Sequence, residues 1–94
     1  MQNVWELLKE RDFIDKERRA IRLRIKVIKV RISIKNKSND FSGLLHLLDA
    51  LGYEEATLTS FSRRLGEIDR QLSEITDQME QSANRQEGAD NVQD

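Results

Sequence analysis

Two long runs of apolar residues at alternating spacings of three and four, joined by one short polar segment, leave this chain few folds to choose from. In the second run, positions 44, 47, 51, 54, 58, 61, 65, 68, 72, 75 and 79 are apolar at ten of eleven places, Glu54 being the exception. In the first, positions 4, 7, 11, 14, 18, 21, 25, 28, 32 and 35 are apolar at seven of ten, the exceptions being Arg11, Arg18 and Lys35. This spacing keeps one stripe of a helix turned toward a partner helix. Residues 1–35 contain no glycine and the chain has no proline, so nothing interrupts the first run. Between the runs, residues 36–43 are dense in Asn, Ser, Asp and Gly and read as a loop. Asn3 and Glu6 stand at capping-box spacing ahead of the first run.

The pattern predicts an all-α fold, a long antiparallel helical hairpin resembling a coiled coil. Its single domain spans 1–81, with a helix over 3–35, a loop over 36–43 and a helix over 44–81, for which a break at Gly52 is the alternative. Residues 82–94 are polar and predict a disordered acidic tail. Folding at the loop sets Ile32 beside Leu47, Ile21 beside Leu58, Leu7 beside Leu72 and Val4 beside Ile75. The same register brings Arg11 near Glu67 and Asp69, and Glu54 near the cations of 22–29, so that polar residues in the stripes fix the alignment. A chain of 94 residues with 37% hydrophobic content builds only a small core. Association with itself, most simply as a dimer of hairpins, or with a partner is the expected remedy.

Residues 21–34 carry a second, conflicting pattern. Apolar and polar residues alternate there with one slip at Val27 and Ile28, and seven of the fourteen residues are β-branched. Taken alone, this reads as a strand with a bulge. No second alternating run is present to pair with it, and the three–four spacing continues through it, which favours a helix. As a helix the segment has two apolar faces. Ile21, Ile25, Ile28 and Ile32 form one, and Leu23, Val27, Val30 and Ile34 the other. With Leu45 and Leu48, the second face predicts an interaction surface near the hairpin tip.

Charge is divided along the chain. Residues 1–40 carry 12 Lys/Arg against 6 Asp/Glu, and residues 41–94 carry 4 against 11, which nearly cancel in the net charge of −1. From 18 to 37 there are nine cations and no anion. Arg22, Arg24, Lys26, Lys29, Arg31 and Lys35 form a candidate basic patch. Its natural counterpart is an acidic protein surface; nucleic acid is the first alternative and an anionic membrane surface the second. Residues 44–64 loosely resemble a helix-turn-helix, with Gly52 at the turn and Ser60, Ser62, Arg63 and Arg64 on or beyond the recognition helix. Leu48 stands where a small residue normally permits close packing, and Glu54 and Glu55 would open the recognition helix against phosphates.

Catalytic chemistry has little to work with. The chain has no cysteine and one histidine, His46, which between leucines reads as a half-buried packing residue. The serines and threonines stand in no nucleophile context, and four scattered glycines make no phosphate loop. The expectation is a non-catalytic interaction or assembly module of adaptor, chaperone-like or inhibitor type. It would need no cofactor and no metal, and would bind a second copy, an acidic partner, or both. No apolar run exceeds two residues, which predicts a soluble chain, most simply cytoplasmic.

Overall fold

The computed structural model describes residues 3–93, with side chains described for 3–84. Two helices, α1 (Val4–Lys37) and α2 (Leu44–Gln93), form an antiparallel hairpin. At 1.5 Å per residue they are roughly 50 and 75 Å long. The fold class is the one the heptad spacing predicts, and the strand alternative for 21–34 is overturned, since that segment lies inside α1. The physical reason is hydrogen bonding. A helix satisfies every backbone N–H and C=O of the segment within α1, whereas a strand would leave both edges unpaired. The β-branched residues lower helix propensity by only a few tenths of a kcal/mol each, which burial of one face offsets.

Asn3 caps α1 by accepting a 2.8 Å hydrogen bond from the Glu6 backbone N–H through Oδ1. At the other end the helix continues through Asn36 and Lys37, two residues beyond the expected boundary. The ending is a Schellman turn. The Asp40 N–H donates to the Lys35 carbonyl at 2.9 Å and the Asn39 N–H to the Asn36 carbonyl at 3.2 Å. Asn39 takes the left-handed conformation, φ 54°, that this turn requires. Gly43, φ 69°, supplies the second left-handed residue, and its carbonyl accepts the Leu47 N–H at 3.1 Å to start α2. Gly52 and Gly66 both lie inside α2, so the break considered at Gly52 does not form. With 44–64 a single helix, the turn that a helix-turn-helix needs is absent. α2 also passes through the expected boundary at 81–82; most of the segment expected as a tail, 85–94, lies outside the residues whose side chains are described.

The seam between the helices is the core. Leu7, Ile14, Ile21, Ile25 and Ile68 are buried. Phe61, Leu65, Leu72 and Ile75 pack against the cluster of Leu7, Ile14 and Ile68, as the predicted register requires. Phe13 meets Phe61 edge-on, with ring centroids 6.4 Å apart. Ion pairs along the seam's borders confirm the alignment. Arg24 grips Glu54 through two hydrogen bonds of 2.9 and 3.2 Å, and Arg11 meets Asp69 at 2.9 Å. Glu67, the other predicted neighbour of Arg11, instead accepts from Arg64 at 3.2 Å. Arg64 also forms a two-pronged pair with Glu10, by Nε to Oε2 and by Nη2 to Oε1. These contacts hold the Arg64 guanidinium well on its charged side, the Glu10 hydrogen bond being the largest cause. α2 outruns α1: every described side chain from Thr76 to Asn84 is exposed, Met79 among them.

Arg18 occupies a stripe position, and its Nε is buried without a hydrogen-bond partner. An unmet buried donor is costly, and an apolar side chain there would extend the seam. Arg18→Leu is therefore expected to raise stability by about 1 kcal/mol, or the thermal midpoint by roughly 4–8 °C. Thermal unfolding followed by circular dichroism checks this, and a lowered midpoint contradicts it.

Candidate interaction surface

A helix turns 100° per residue, so residues two apart point to nearly opposite sides. In residues 21–34 this converts alternation into two faces. Ile21 and Ile25 are buried in the seam, with Ile28 and Ile32 half-buried beside them. Leu23, Val27, Val30 and Ile34 lie off the seam and are 64%, 43%, 53% and 58% exposed. Their spacing of four, three and four is itself a heptad stripe, and at its tip end Ile34 lines a groove with Gly43, His46 and Leu47. Leu45 and Leu48 are also exposed, but they belong to α2. Leu45 follows the half-buried Leu44 and precedes the half-buried Leu47, which turns it to the outer side of that helix. The four α1 residues form one stripe, and Leu45 and Leu48 belong to the other helix.

The cations divide into engaged and free. Arg24 is committed to Glu54, whose hydrogen bond is the main cause of its raised pKa. Lys35 donates to the Ser42 carbonyl at 2.7 Å and lies 3.5 Å from Asp40, bracing the loop. Arg22, Lys26, Lys29 and Arg31 make no ion pair among the described residues. Lys26 and Arg31 flank Val27 and Val30 in a shallow groove. Leu23, Val27 and Ile28 line an adjoining one with Arg24 and Arg31. His46 is exposed rather than half-buried, and borders a groove at the tip with Arg31, Ile34 and Leu47. It sits one residue before the seam position Leu47, which turns it outward.

Trp5 lies outside both heptad stripes, so their spacing gives no sign of it. It is 65% exposed, with the Lys9 ammonium 5.3 Å from its ring centroid. Eighteen residues are five helical turns, so Trp5 shares the outer face of α1 with Leu23; counting by eighteen would have found it. Between them the surface is charged, with ion pairs from Lys16 to Asp12 and from Arg19 to Asp15. Among the described residues, no group of His, Cys, Asp or Glu is placed to hold a metal ion, and no helix is long and apolar enough to cross a membrane. No family model, curated protein or solved structure matches this chain.

The loop that fixes the tip is built around the Asp40 carboxylate. The Ser42 hydroxyl and backbone N–H both donate to Asp40 Oδ1, at 2.6 and 3.1 Å. They hold the Asp40 carboxyl below its ordinary range, the hydroxyl contributing most and Lys35 adding to it. A depressed folded-state pKa stabilises the loop above the unfolded value, near about 3.9, and that stabilisation is lost as pH falls through the folded value. Thermal midpoints measured from neutral to acid pH should fall less steeply for Asp40→Asn than for the unaltered chain. Identical acid limbs contradict this role.

Proposed function

We propose that the protein is a non-catalytic interaction or assembly module, acting through the outer face of α1 near the hairpin tip. The observation that carries this reading is the exposed stripe of Leu23, Val27, Val30 and Ile34, bordered by cations that make no ion pair among the described residues. A helix that only had to complete a hairpin would be polar on this side. Here four large aliphatic residues are kept in water at helix-packing spacing, a cost that binding recovers. The scaffold suits the task, because the seam and the Arg24–Glu54 pair hold α1 rigid before any partner arrives. The free cations would speed and orient approach to an acidic surface. Adaptor, chaperone-like and inhibitor roles share this mechanism.

The test combines affinity capture with mass measurement in solution. Val27→Glu with Val30→Glu is expected to abolish capture of partners, or to reduce an assembly to single chains, while far-UV circular dichroism keeps its helical signal. Capture and mass both unchanged would contradict the proposal.

A further inference from the structure

We infer that the outer stripe of α1 seats a third helix, an acidic amphipathic helix supplied by another protein. This rests on the reading of the stripe as an interaction surface and adds its occupant. Two observations select it.

The first is the width of the stripe. At 100° per residue, Leu23, Val27, Val30 and Ile34 fall within a sector of about 60°. Lys26 and Arg31 stand at its two borders and line the same groove as Val27 and Val30. A narrow seam with charged borders matches the side of one helix. A membrane surface favours a broader apolar sector rich in Trp, Phe and Leu. A phosphate backbone is met by cations, and four aliphatic residues among them would contact nothing useful.

The second is charge. Arg22, Lys26, Lys29 and Arg31 have no ion-pair partner among the described residues, and no anion occurs from 18 to 37. Residues bordering a helical seam decide which helices pair. A second copy of α1 laid on this stripe would bring Lys26 and Arg31 of both copies together, cation against cation, whether parallel or antiparallel. The α2 of a second copy is acidic, but its apolar stripe is turned to its own α1, and its exposed Leu45 and Leu48 are followed at three–four spacing by Gly52 and Glu55 rather than by apolar residues. The occupant that fits has apolar residues at three–four spacing and Asp or Glu on both flanks.

The probe is a labelled synthetic peptide of about four heptads, with Ile and Leu in the seam and Glu on both flanks. Its fluorescence anisotropy is followed on titration with the full chain. A matched peptide with Lys flanks, duplex DNA and phosphatidylserine-containing vesicles are titrated in parallel, and the mass of the free chain is measured in solution. The expected result is saturable binding of the Glu peptide, roughly tenfold or more tighter than the Lys peptide. Val27→Asn with Val30→Asn, which leaves the charge unchanged, should weaken it by roughly tenfold or more at unaltered helicity. Preference for DNA or vesicles over the Glu peptide overturns the inference. A dimer that those substitutions dissolve also overturns it, by making the occupant a second copy, yet leaves the interaction surface standing. Glu-peptide binding that ignores the substitutions overturns both the occupant and the surface.

Discussion

Packing of one heptad stripe of α1 against α2 decides which side chains of the paired helices face inward and which face solvent. A helix can bury only one sector against a single neighbour. Once Leu7, Ile14, Ile21 and Ile25 are in the seam, residues two positions away must point outward. Leu23, Val27, Val30 and Ile34 are exposed for that reason and no other. The ion pairs at the seam's borders do not drive its formation, because partly exposed pairs contribute little. They fix which residues lie opposite, as the two-pronged grips of Arg24 on Glu54 and Arg64 on Glu10 illustrate.

Much of this was legible in the sequence, because helix packing has a period and the chain keeps to it. The two stripes, the loop between them and the alignment of Arg11 with Asp69 and Glu54 with Arg24 follow from counting residues. What counting missed has local causes. Asn36 and Lys37 look like loop residues, yet the αL conformation of Asn39 lets the helix run on to Lys37. Gly52 looks like a turn, yet the stripe from Leu47 to Leu58 continues across it and holds the helix together. The Glu10–Arg64 pair involves residues beside the stripes rather than in them, so a search of stripe positions passes over it. Arg18 was visible as a polar residue in the stripe, but the orphaned Nε depends on how its side chain lies.

The candidate surface was legible for a different reason. Alternation over 21–34 is a strand signal only if the backbone is extended. On a helix, the same alternation with one slip at Val27 and Ile28 sends successive apolar residues to opposite sides and yields two stripes of equal spacing. One is satisfied within the chain. The other is left exposed on a helix packed along its opposite face, beside cations that make no ion pair among the described residues. The loop braced by Lys35, Asp40 and Ser42 keeps the tip of that helix in place.

Because the chain contains no cysteine, single cysteines can report this arrangement directly. Thiol-labelling rates should be measured for Ile21→Cys, Leu23→Cys, Ile25→Cys and Val27→Cys under native conditions. The bifacial helix predicts slow labelling at 21 and 25 and fast labelling at 23 and 27. Four similar rates would contradict it, since that is how residues on one face of a strand would behave.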